Sequence, residues 1–152
     1  MLAEADQALV LTRVFDAPAA LLFRVWTDPS HMMRWWGPRA HPAREMKMDL
    51  RVGGAWRGCL VAVEDGKELW QGGVFREIDP PHRLSFTFAW EEDGERGLET
   101  LVTLTFEEEG DRTRMTLRQT PFRSLGERDG HGGGWSSTFD RLEEFLASQS
   151  NP

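Results

Sequence analysis

The sequence predicts an α+β fold in which a curved antiparallel sheet wraps around a long C-terminal helix. Three observations carry this reading. One strand-like segment is followed at once by two short helical segments. The apolar period then becomes two and holds from Met46 to Leu117, the signature of half-buried strands. From Trp135 to Leu146 it returns to the helical 3.6. Consecutive strands joined by hairpins imply antiparallel pairing. A single helix cannot cover both faces of a flat sheet, so the sheet must bend around it.

Leu9 to Phe15 alternates loosely and stops at Asp16-Ala17-Pro18. Pro18 suits the first turn of a helix, where a missing N–H has no consequence. Leu21, Leu22, Val25 and Trp26 give that helix an apolar face. Asp28-Pro29 signals a second start, an N-cap acid followed by proline, and this helix should end near Trp36-Gly37-Pro38. Met46, Met48, Leu50 and Val52 alternate with Glu45, Lys47, Asp49 and Arg51, which predicts a strand reaching Val52 and broken by Gly53-Gly54. Trp56 to Val63 follows, and Glu64-Asp65-Gly66-Lys67 carries a hairpin signal. Leu69 to Ile78 shows no clear facing, so Arg76 and Glu77 stay unassigned. Asp79-Pro80-Pro81 forces a turn. The sets Leu84/Phe86/Phe88/Trp90, Val102/Leu104/Phe106 and Met115/Leu117/Gln119 complete six strands after the two helices. The acidic stretch from Glu107 to Asp111 is a solvated hairpin tip.

In the last element Trp135, Phe139, Leu142, Phe145 and Leu146 form one stripe, with Asp140, Arg141, Glu143 and Glu144 opposite. Just upstream, Gly130, Gly132, Gly133 and Gly134 each cost about 1 kcal/mol of helix propensity relative to alanine. A frayed or kinked beginning, or a late start, is expected there.

The 152 residues fit one domain, 1–152, without linker or internal repeat. With 25 acidic and 18 basic residues the net charge is −7, which argues against nucleic acid and anionic membranes as partners. The one cysteine, Cys59, forms no internal disulfide and fits a reducing compartment. No basic leader and no long apolar run are present, so a cytoplasmic protein is expected.

The chemical motifs are sparse. His131-Gly132-Gly133-Gly134 matches the oxyanion-hole string of lipase-like hydrolases, but no Gly-x-Ser-x-Gly elbow accompanies it; a flexible helix start is the simpler reading. His31, His41, His82 and His131 are dispersed without metal-ligand spacing, and surface or capping roles are expected for them. No phosphate-binding loop occurs. No metal, no cofactor and no catalytic residue are therefore expected. Asp49 and Arg51 beside Gly53-Gly54 read as a turn rather than a recognition patch.

Seven tryptophans in 152 residues imply a bulky aromatic interior. Adjacent Trp35 and Trp36 diverge by about 100° on a helix, so one should pack inward and the other line a rim or opening. Trp35, Trp36, Trp56, Phe88, Trp90, Met115, Trp135 and Phe139 are the candidate walls of an apolar ligand pocket between sheet and helix.

Trp26-Thr27-Asp28-Pro29, Trp35-Trp36-Gly37-Pro38, the stretch from Asp49 to Trp56, the stretch from Gly73 to Pro81, and Gly134-Trp135 together give a recognisable string. The chain resembles the family named for the activator of heat-shock protein 90 ATPase, within the START-like (SRPBCC) superfamily, from about Leu9 to Leu146. The resemblance implies the helix-grip fold with a cavity between helix and sheet. It implies a non-enzymatic protein that holds a small hydrophobic or aromatic ligand. Two other functions follow from it: a chaperone-associated interaction domain linked to the stress response, and a polyketide-cyclase-like enzyme. The resemblance implies that the namesakes carry a further chaperone-binding domain, and none is expected within this single-domain sequence. A monomer and a homodimer are both compatible with the sequence.

Overall fold

The computed structural model describes residues 2–150. After a short 3-10 turn at Glu4–Gln7 come β1 (Leu9–Phe15), α1 (Ala19–Thr27), α2 (Pro29–Trp35), β2 (Ala43–Met48), β3 (Ala55–Val61), β4 (Glu68–Asp79), β5 (Arg83–Glu92), β6 (Glu95–Arg96), β7 (Thr100–Glu109), β8 (Arg112–Thr120) and α3 (Leu125–Ser150). The strands form one curved sheet in the order β1-β8-β7-β5-β4-β3-β2, with β6 paired to the end of β5. Every pairing is antiparallel. The fold class is the one the sequence predicts.

Both short helices start as their sequences dictate. The carbonyl of Pro18 accepts from the amides of Leu21 and Leu22. Asp28 caps α2 by accepting from the Ser30 amide at 2.9 Å, with Pro29 at the first helical position. Trp35 closes this layer by donating its indole N–H to the carbonyl of Val25, 3.1 Å away.

The core lies between the concave face of the sheet and the helices. Phe15, Leu84, Leu104, Met115, Leu117, Phe139 and Leu142 are all at most 1% exposed. A continuous aromatic cluster joins the layers. Trp26 packs edge-on against Trp35 at 4.7 Å between ring centres, and Trp36 meets Trp56 at 5.9 Å and Trp135 at 5.3 Å. Each such pair adds about 0.5–1.5 kcal/mol beyond burial itself.

Four departures from the sequence reading have physical causes. First, β2 ends at Met48, not Val52, and Leu50 and Val52 are exposed. Backbone bonds from Arg51 N to Asp49 O and from Gly54 N to Arg51 O close a tight turn, and Gly53 takes φ +84°. The apparent alternation there is turn sequence. Second, β4 has no single facing because its register shifts between Phe75 and Glu77, and a bulge reverses which side chains point inward. Arg76 is exposed, and Glu77 pairs with Arg83 on the outer face. Third, β6 is a short extra strand, reached through a turn in which Asp93 and Gly94 both have positive φ. Fourth, α3 starts at Leu125 and runs unbroken through all four glycines. Its first turn is capped. Ser124 Oγ accepts from the Glu127 amide at 3.1 Å, and the Glu127 carboxylate accepts from the Arg123 amide at 2.9 Å. Ser124-Leu125-Gly126-Glu127 is thus a capping-box sequence, and this stabilises a stretch that propensity alone disfavours.

Candidate functional site

A cavity of about 330 Å³ lies between α3, the inner face of β3–β5 and the loop after α2. Its walls are built from three directions. Phe88 and Trp90 stand on β5 in the same facing, and Leu60, Leu69 and Gln71 come from β3 and β4. Trp36, Gly37, Pro38 and His41 come from the loop. Gly130, His131, Gly134, Trp135 and Thr138 come from α3, a spacing of i, i+1, i+4, i+5 and i+8 that forms one helical face.

The helical glycines explain why a cavity exists. A Cβ built at Gly130 or Gly134 meets no heavy atom within 4 Å. Both line the cavity, Gly130 exposed and Gly134 half-buried, so a larger residue at either would narrow it. Gly132 points elsewhere, against Leu9 of β1 at 3.2 Å. Read from propensity, these glycines break a helix; in the fold they shape a concave surface on one.

The loop wall is anchored to α3. Arg141 donates to the carbonyls of Trp36 and Gly37 at 3.0 and 2.8 Å and to that of Arg34 at 3.2 Å. It thereby caps the C-terminal end of α2 with a cation, the favourable sign there. This places Arg141 against the loop, whereas Asp140, Glu143 and Glu144 are exposed. The Arg39 amide donates to Ser137 Oγ at 3.0 Å, and the Arg39 guanidinium reaches both Glu144 oxygens at 2.7 Å.

The polar groups around the cavity form two indole–glutamine pairs. Trp135 donates to Gln119 Oε1 at 2.8 Å. Gln119 Nε2 donates onward to Thr100 Oγ1 at 2.8 Å, and that hydroxyl donates to the carbonyl of Phe88 at 3.1 Å. Trp36 donates to Gln71 Oε1 at 2.5 Å. Gln71 is 1% exposed. On α3, Thr138 Oγ1 donates to the carbonyl of Gly134.

His131 is half-buried and in contact with Phe88, Trp90 and Phe122. Trp90 donates its indole N–H to His131 Nε2 at 3.2 Å. Burial holds the imidazole below its ordinary pKa, and the nearby Glu127 carboxylate opposes this only in part. The expected surface or capping role does not describe this histidine, because the helix turns it inward. Cys59 is fully buried, and burial pushes its thiol pKa up. Among the described residues no cluster of His, Cys, Asp and Glu could hold a metal ion, and no helix is long and apolar enough to cross a membrane.

Of the eight candidate wall residues, the structure brings Trp36, Phe88, Trp90 and Trp135 to the cavity. The other four lie outside it. Trp35 is packed between α1 and α2, and Met115 and Phe139 are in the solid core. Trp56 lines a separate void of about 10 Å³ near Trp26 and Phe86. Trp36 and Trp35 part company because α2 ends between them: Trp36 is the C-cap with extended backbone. Both are buried, Trp35 in the packing and Trp36 at the cavity wall. The sequence reading missed Gln71 and His131. Gly72 and Gly73, which carry no side chain to mark a face, concealed the first, and the glycine-rich string around the second concealed its helical facing.

A curved antiparallel sheet gripping one long helix, with an apolar cavity between them, defines a START-like, helix-grip domain. The chain belongs to the family Activator of Hsp90 ATPase homolog 1-like protein, which it matches over residues 16–147. No curated protein matches it. Among solved structures, the family protein from Silicibacter pomeroyi has a TM-score of 0.84 at 28% identity, with 93% of this chain and 99% of that chain covered. A protein from Mycobacterium smegmatis gives 0.81 at 25%, covering 97% and 95%. One from Nitrosomonas europaea gives 0.81 at 23%, covering 99% and 100%, and at that identity shows the fold alone.

Proposed function

We propose that the protein binds a small apolar or aromatic molecule in the cavity beside Trp135 and performs no covalent chemistry on it. The observation that carries this reading is the clear space over Gly130 and Gly134, on the helical face opposite Phe88 and Trp90. Bulky aromatics fill the rest of the interior, yet two helix-disfavouring residues stand where a side chain would fill this part. The cavity's size lies at the lower end of the range for small-molecule sites, and aromatic and aliphatic walls are typical of them.

Titration with a library of planar apolar compounds, followed by tryptophan emission, tests the reading. Saturable one-site quenching is expected, with Gly134→Leu abolishing it while the fold is kept. If no compound gives a saturable change, the reading fails. The family description favours a second reading, contact with a heat-shock protein 90-type chaperone. Stimulation of that chaperone's ATPase by the added protein would support it, and an unchanged rate would remove it.

A further inference from the structure

We infer that the cavity selects uncharged, planar ligands bearing a carbonyl-type acceptor, and that the Gln71 amide nitrogen receives that acceptor. The inference rests on the binding reading above and names the ligand class. An indole N–H can only donate. Trp36 therefore fixes the Gln71 side chain with its oxygen toward the indole and its NH2 group the other way. Gln119 meets the same constraint from Trp135, but its NH2 group has an acceptor in Thr100. For Gln71 no such acceptor occurs among the described residues, although the side chain lines the cavity. The Gln71 amide nitrogen is not sealed off in the packing, so an acceptor in the cavity, water or ligand, can reach it. A ligand carbonyl reaching into the cavity would satisfy it.

The restriction to uncharged ligands follows from the walls. No Lys, Arg, Asp or Glu among the described residues lines the cavity. The nearby cations are engaged elsewhere: Arg141 with loop carbonyls and Arg39 with Glu144. On the other side, Glu127 is paired with Arg123. His131 Nε2 is already an acceptor for Trp90, and protonating that nitrogen to meet an anion would break the bond. An ammonium brought in would leave water without an opposite charge to meet it, and a carboxylate would find only the half-buried imidazole of His41 at the loop wall.

Four naphthalenes of similar size test this by tryptophan quenching: 2-acetylnaphthalene, 2-isopropenylnaphthalene, 2-naphthoate and protonated 2-(aminomethyl)naphthalene. The ketone is expected to bind, with the carboxylate and ammonium at least about tenfold weaker. In Gln71→Met and Gln71→Glu, the ketone should lose about three- to tenfold relative to the isopropenyl hydrocarbon. That ratio is taken within one protein, so a change in cavity shape or stability largely cancels. Gln71→Glu also keeps an acceptor for Trp36. Naphthoate binding as tightly as the ketone, or a ketone-to-hydrocarbon ratio unchanged in both variants, overturns the inference while leaving the binding reading intact. No saturable binding by any of the four or by the wider apolar library removes both.

Discussion

The indole N–H of Trp90 points at Nε2 of His131 across 3.2 Å, which requires that nitrogen to carry no proton. The contact joins the sheet to the glycine-rich turn of α3, and burial favours the same neutral state. Because the folded-state pKa lies below the ordinary 6.5, the unfolded chain binds the proton more readily between the two values. Stability then rises with pH in that window. The His131 contribution is expected to be full above about pH 7 and to decline as pH falls through about 6.5. Melting temperatures of wild type and His131→Phe at pH 7.5 and pH 5.5 check this. The wild type should lose more on acidification; an equal loss in both proteins would contradict the assignment.

Gly134→Leu and Gly130→Leu should separate binding from stability. Each adds a side chain where no atom lies within 4 Å and removes a helix penalty of about 1 kcal/mol. Urea midpoints are expected to hold or rise, while quenching by planar apolar compounds disappears. Retained binding in both variants would show that the ligand site lies elsewhere.

Gly54→Val should destabilise the protein by about 1–3 kcal/mol. A Cβ at Gly54 collides with the Asp49 carbonyl oxygen across the turn that ends β2. That oxygen is backbone and cannot swing aside. A urea midpoint equal to wild type would show that the turn reshapes freely.

Arg141→Met should cost about 2 kcal/mol, the scale of charge-assisted hydrogen bonds to carbonyls. It removes the side-chain donor of the Arg34, Trp36 and Gly37 carbonyls, of which Trp36 keeps the Ala43 amide. Since Trp36 and Gly37 also wall the cavity, ligand affinity should fall with stability. Faster hydrogen exchange in the loop from Trp36 to His41 is the local readout, and unchanged exchange would argue against the anchoring role.

Much of the fold was legible because period and punctuation are local properties. The alternation Leu84, Phe86, Phe88, Trp90 could only be a strand with one inward face. The Asp28-Pro29 pair could only open a helix. The stripe from Trp135 to Leu146 needed a concave partner, and the curved sheet supplies it. A capping box at Ser124 and the Asp93-Gly94 turn were equally local, and were visible in the chain although overshadowed by the neighbouring glycines and acids.

The residues themselves determined that large aromatics meet between one sheet and one helix. Only the tertiary structure decided which of them bound a cavity and which fill the core. Trp35 and Trp36 are neighbours in sequence, yet the end of α2 sends one into solid packing and the other to the cavity wall. Gln71 faces inward in step with Gly73 and Phe75, ahead of the bulge, and the glycines of that stretch carry no side chain to reveal the alternation. Gly130 and Gly134 changed meaning altogether. Propensity measures a residue against water and an isolated helix, where glycine is only a weakness. A cavity is the difference between two surfaces, and it takes form only when α3 is laid against Phe88 and Trp90, so that the absent side chains leave room.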